Sequence, residues 1–116
     1  MKTVEKLLNL MIEEKESGIY LSNKGKIIIG HYNMPKNFTG EYKSWWDNEQ
    51  LYLHRYYKNG ELHGKYKQWH DNGQLWSFCY YKNGKLNGEL KEWNYDGKLL
   101  YHHYYENGKI VKDYLK

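Results

Sequence analysis

The sequence predicts an all-β protein: an elongated, single-layer antiparallel meander of 24-residue β-hairpin repeats, with one short capping α-helix in front. Three observations predict it. Residues 64–86 match their neighbours when shifted by 24 residues, so that Gly40, Gly64 and Gly88 align, as do Trp45, Trp69 and Trp93, and Leu51, Leu75 and Leu99. A fixed period of this size is the mark of a repeat architecture. Asn-Gly pairs recur at 59–60, 83–84 and 107–108 between β-rich runs. This is the strongest short hairpin signal, because both central residues of a type I′ turn need positive φ. Finally, aromatic residues make up 18% of a chain that is otherwise strongly polar. That mixture suits a thin sheet in which Tyr and Trp bury their rings and keep polar edges wet.

Taken in order, residues 1–17 form the cap. Within them 3–16 read as an amphipathic helix, with Thr3 as N-cap and Val4, Leu7, Leu8, Met11 and Ile12 on one stripe. Gly18 ends it. A lone helix of this length is marginal in water, so the stripe must dock on the repeats. The repeat region spans 18–116. Residues 18–39 are a degenerate first unit, in which Phe38 fills the Leu86 slot and Met34-Pro35-Lys36 replaces a Lys-Asn-Gly turn. Full units follow at 40–63, 64–87 and 88–111, and 112–116 begin another.

Each unit reads as two strands, about 62–70 and 74–81 in the central one, joined by turns at 71–73 and 82–84. Connections this short force antiparallel neighbours. Alternation places Leu62, Gly64 and Tyr66 on one face. On the next strand it places Leu75, Cys79 and Tyr81 on one face and Trp76, Phe78 and Tyr80 on the other. Trp69 has the opposite parity to Tyr66. Either a bulge at the recurrent Gly intervenes, or the Trp stands on the other face.

The segments Tyr57-Lys58-Asn59-Gly60-Glu61-Leu62-His63-Gly64 and Tyr81-Lys82-Asn83-Gly84-Lys85-Leu86-Asn87-Gly88 resemble the Tyr/Trp-x-x-Gly-x-x-x-Gly core of MORN repeats. The spacing to the next Trp is closer to a divergent MORN-like group of bacteria and giant viruses, whose bacterial members often carry an antitoxin label. The resemblance covers the chain from about Gly18 onward. It implies an elongated twisted sheet and roles in protein–protein interaction, scaffolding and binding of acidic phospholipid. The family's second glycine pair within each unit is mostly absent here. Abundant Lys, Asn, Tyr and Ile, with no alanine, suit an AT-rich bacterial or viral genome.

The residues show no catalytic, metal or cofactor constellation, and the expectation is a protein that is not an enzyme. His31, Arg55, Cys79 and His103 share one column. Equivalent positions of successive units lie about 9.6 Å apart across an intervening strand, far beyond the roughly 2.0–2.3 Å of zinc bonds. Cys79 lies in an interior strand with no helix N-terminus to lower its thiol pKa. It is also the sole cysteine, so no intrachain disulfide forms and a reducing compartment fits. No run is long and apolar enough to span a bilayer, and 1–18 is too acidic for a signal peptide. The expectation is a cytoplasmic protein, neither secreted nor transmembrane.

The functional expectation is a non-enzymatic interaction or scaffolding module with a protein partner. The candidate partner-binding residues are the rings Trp45, Trp69, Trp76, Trp93, Tyr56, Tyr80 and Tyr104. A homodimer through the terminal strand 112–116 is a sub-case. The alternative is a peripheral binder of anionic phospholipid using Lys43, Lys58, Lys65, Lys67, Lys82 and Lys91. A second alternative, an antitoxin- or immunity-like protein, rests on the resemblance alone. Nucleic acid is disfavoured because Glu41, Glu61, Glu89 and Glu92 are mixed among the lysines. A recognition face for it needs lysines and exposed rings on the same side.

Overall fold

The structure is a computed structural model that describes residues 18–22, 25, 27–30 and 34–116. The expected helix at 1–17 and the column residue His31 lie outside the described residues. Among the described residues all regular structure is β: β1 Gly18–Ser22, β2 Ile27–Gly30, β3 Gly40–Trp45, β4 Leu51–Lys58, β5 Glu61–Trp69, β6 Leu75–Lys82, β7 Lys85–Trp93, β8 Leu99–Glu106 and β9 Lys109–Asp113. They make one open antiparallel sheet in the order β2-β1-β3-β4-β5-β6-β7-β8-β9.

From β3 onward the chain is the meander the sequence predicts. The Asn-Gly turns carry positive φ at both central residues, 49° and 84° at Asn59-Gly60 and 49° and 82° at Asn83-Gly84. Their twist matches that of the flanking strands. Each of these turns also bonds back to the unit before it. Gly60 N donates to Phe38 O, Gly84 N to Leu62 O and Gly108 N to Leu86 O, each at 2.8 Å. Beside them Asn59 N donates to Thr39 Oγ1, Asn83 N to His63 Nδ1 and Asn107 N to Asn87 Oδ1. Phe38 thus does occupy the slot of Leu62 and Leu86.

The first unit departs from the meander. β3 pairs with β1 (Tyr20 opposite Tyr42), not with β2, which takes the edge. The connection from β2 must therefore cross β1 to reach Gly40. It crosses on the face of Tyr20 and leaves Phe38 there, its ring 5.3 Å from that of Tyr20. Met34 packs against the same group. The turn expected at 34–36 forms one residue later, with Phe38 N donating to Pro35 O and φ at +57° for Asn37. This crossing makes the core: Tyr20, Phe38, Tyr42 and Leu53 are buried together. Away from it the sheet is open, and no large side chain is fully buried among the described residues.

Two kinds of irregularity set the faces. Tyr57 pairs with Leu62 while Arg55 pairs with Tyr66, so β5 carries extra residues around Gly64, which has φ +107°. Gly88 does the same on β7, with φ +109°. At the other ends, Gln68 pairs with Ser77 but Trp69 with Leu75, making Trp76 the extra residue of β6. Such bulges add a residue and turn the strand. Leu75 and Trp76 consequently exchange the faces that simple alternation assigned them. Both readings offered for Trp69 hold. A bulge sits at the glycine, and Trp69 stands on the face opposite Tyr66.

Candidate interaction surface

Directly opposed residues of an antiparallel pair share a face, so the register sorts every strand side chain. One face, the tyrosine face, carries Tyr20, Tyr42, Tyr57, Tyr66, Tyr81 and Tyr105. On the other, the lysine face, Lys43 opposes His54, Lys67 opposes Phe78 and Lys91 opposes His102. Beside that row Tyr56 opposes Glu41, Tyr80 opposes Lys65 and Tyr104 opposes Glu89. Trp45, Trp69 and Trp93 end their strands two residues beyond Lys43, Lys67 and Lys91, and so stand on this face as well.

Six of the seven candidate rings are therefore gathered on the lysine face. Trp76 is not. It takes the place in its bulge that Tyr52 takes one unit earlier. Tyr52 packs on the core and accepts a 3.4 Å hydrogen bond from Gln68, which opposes Leu53 on the tyrosine face. Trp76 stacks on His70 at 5.1 Å.

The charges segregate with the faces. The six candidate lysines Lys43, Lys58, Lys65, Lys67, Lys82 and Lys91 all fall on the lysine face, joined by Lys85, Lys109 and Lys112. Its strand acids are Glu41, Glu61, Glu89 and Glu106. The strands of the tyrosine face carry Arg55, Glu92 and Asp113.

Within the lysine face the central unit differs from its neighbours. In the unit before it, Glu41 holds both Lys43 at 3.4 Å and His54 at 3.2 Å. In the unit after it, Glu89 holds Lys91 at 3.5 Å and His102 at 3.1 Å. In between, the Glu slot is Lys65 and the His slot is Phe78. Lys65 and Lys67 face no carboxylate among the described residues, and Lys67 Nζ lies 5.6 Å from the centre of the Phe78 ring. Tyr80, edge-to-face with Phe78 at 5.0 Å, is exposed. The neighbouring units thus pair Lys43 and Lys91 with carboxylates, and the central one presents two ammonium groups without a carboxylate beside two rings. Burial, against the pull of Glu41, lowers the pKa of His54 below 6.5. The bridge to Glu41 is therefore mainly a hydrogen bond near neutral pH.

Next to this patch an open groove of about 410 Å³ runs between Tyr80 and Tyr104, with Gly64 and Gly88 among its lining residues. A Cβ on Gly88 would lie 3.5 Å from the Tyr80 ring, so the glycine helps to keep the groove open. Phe78 was not among the sequence candidates. Its signal was available as the exchange of the Glu and His slots for Lys65 and Phe78 in one unit only.

The other candidate chemistry does not assemble. Cys79 and His103 are separated by Leu90 on the strand between them. Cys79 is buried, and desolvation with the nearby charge of Glu92 pushes its thiol up to about 12. Among the described residues no group of three His, Cys, Asp or Glu side chains could share a metal ion. Nor is any described helix long and apolar enough to cross a membrane.

Short hairpins bonded unit to unit into an open sheet define a β-repeat array. The comparison with known families places the array more closely: the MORN repeat variant matches residues 38–60, 62–83 and 86–107, more than half of the chain. The chain belongs to the MORN repeat family. The matched segments begin at Phe38, where the regular meander begins. No curated protein and no solved structure matches it.

Proposed function

We propose that this protein is a non-enzymatic interaction module that docks an acidic, partly apolar protein segment on the lysine face of its sheet. The observation that carries this reading is the central patch, where Lys65 and Lys67 lack a carboxylate and stand beside Phe78 and exposed Tyr80. Rings and cations together are favoured interface anchors, and unpaired lysines steer acidic partners at low salt. Tyr104 and the groove extend the surface along one side, and Trp45, Trp69 and Trp93 along the other.

The test is capture of proteins from a nuclease-treated extract on the immobilised full chain at low salt, followed by elution with salt. Support is a retained protein with an acidic segment that Lys65→Glu/Lys67→Glu releases. No retained protein at low salt would remove the reading, as would equal retention by both forms.

Anionic phospholipid is the second reading. The collection of nine strand lysines on one face favours it, since each near an anionic surface contributes about 1 kcal/mol. Flotation of vesicles with and without phosphatidylserine separates it from the first. Pairing of two copies along the terminal edge is the third; that edge is β9, Lys109–Asp113, because 114–116 leave the sheet in a turn and do not form the strand expected at 112–116. Exposed Ile110 and Val111 favour it. Lys109, Lys112 and the bulge after Ile110 are features that protect edges. The mass of the full chain by light scattering decides it. No feature of this surface favours an antitoxin- or immunity-like role over these readings.

A further inference from the structure

The tyrosine face holds a second feature, independent of the lysine face. Arg55 is the only arginine of the chain. Its guanidinium lies 4.9 Å from the ring centre of Tyr42, 5.5 Å from that of Tyr57 and 6.0 Å from that of Tyr66. Tyr42 and Tyr66 oppose it on the two neighbouring strands, and Tyr57 follows two residues on. Three ring faces therefore hold the cation in place, as cation–π geometry favours. They leave its Nε–H without an acceptor. Nε is buried with no hydrogen-bond partner, and among the described residues Arg55 makes no ion pair. A guanidinium is a fork of donors without an acceptor of its own. One that is held by rings and left without a carboxylate is prepared for an anion from outside.

The same column shows which anion. Two units later the same slot holds His103, and the residue opposite it on β9 is Asp113, with Oδ2 3.4 Å from His103 Nε2. There the sheet supplies its own carboxylate from the neighbouring strand. At Arg55 both opposing residues are tyrosines, so no described residue supplies a carboxylate in that position. We propose that Arg55 and its tyrosine cage form a carboxylate-binding site, filled by an Asp, Glu or chain-terminal carboxylate of a partner. An Arg and a carboxylate pair as two parallel hydrogen bonds, and the cage fixes the plane of the fork in advance. The partner would thereby engage the tyrosine face at one defined point. Burial raises the pKa of Tyr57 and Tyr81, so both hydroxyls stay protonated at neutral pH.

Because there is one arginine, the protein has one guanidinium Nε–H resonance, and it reports this site without assignment. The full chain, labelled with nitrogen-15, is titrated with sodium acetate at constant pH. Sodium chloride at matched ionic strength is the blank, and inorganic phosphate is a third arm. The expected result is a saturable displacement of the resonance by acetate over the millimolar range, with chloride inert and phosphate no stronger than acetate. A response to acetate no larger than to chloride overturns the site. A stronger response to phosphate overturns the carboxylate assignment. Arg55→Lys keeps the charge and loses the fork. Thermal stabilisation by acetate should disappear in it, and persistence of that stabilisation would contradict the proposal.

Discussion

Cys79 shows how the environment decides the chemistry of a single side chain. It is 3% exposed in the middle of β6. Its thiol is pushed up to about 12 by burial first and the charge of Glu92 second. Thiolate is the reactive form, so the native protein should resist thiol reagents near pH 8 and label fully in denaturant. Rapid native labelling would contradict this burial. His54 gives a pH dependence. Burial lowers its folded pKa below 6.5, so the unfolded chain takes up a proton first as pH falls. The contribution to stability is present above about pH 6.5 and is lost as pH falls through that value toward the lower folded pKa. The melting temperature should therefore fall more steeply between about pH 7.5 and about 5.5 in the wild type than in His54→Gln. Both roles were partly legible. The inert Cys79 followed from its interior strand, whereas the His54–Glu41 pair needed the register, because the two residues lie 13 apart in sequence.

At the scale of elements, ladders of side chains tie the repeats together. Trp46 Nε1 donates to Trp69 O at 2.9 Å, and His70 Nε2 bonds to Trp93 O at 3.0 Å. Asn48 Nδ2 donates to Asp71 O and Asn72 Nδ2 to Tyr95 O. The last unit ends both series. Asn94 turns its amide oxygen to its own turn, toward Asp96 N and Lys98 N, and Asp96 replaces the asparagine donor. Replacing His70 by Phe keeps the ring that stacks on Trp76 and removes the bond to Trp93 O. The cost should be about 1 kcal/mol in denaturant unfolding. At Gly88, with φ +109°, alanine has room at 3.5 Å from Tyr80 but not the backbone freedom. Its cost of about 1–3 kcal/mol should come from strain. An unfolding free energy equal to wild type for Gly88→Ala would refute that cause. The Asn-Gly turns were legible because their backbone requirement is written in residue type. The bulge at Trp76 was not, since an extra residue leaves the composition of a strand unchanged while exchanging its faces. The crossing of β1 by the segment before Phe38 was equally hidden. It follows from β3 pairing with β1 and not with β2, which no residue type in the connection marks.

Across the whole molecule, burial declines from one end of the sheet to the other. Tyr20, Phe38, Tyr42 and Leu53 close the core at the first strands, whereas Leu100, Tyr101, Ile110 and Val111 are exposed at the last. Amide exchange should be slowest at β3 and β4 and fastest at β9. Uniform protection along the sheet would contradict this gradient. Across the other dimension the two faces divide the labour. The tyrosine face holds the core and the caged Arg55, and the lysine face holds the unpaired Lys65 and Lys67. The sequence made the rings visible as candidates, but their common side depends on bulges, and so only the register revealed it. The measurement that tests this division most directly compares capture by three immobilised forms at low salt: wild type, Lys65→Glu/Lys67→Glu on the lysine face and Glu92→Gln on the tyrosine face. Recognition through the lysine face predicts that the first variant loses the partner retained by wild type and that Glu92→Gln keeps it. Retention by Lys65→Glu/Lys67→Glu at the level of wild type would contradict the account.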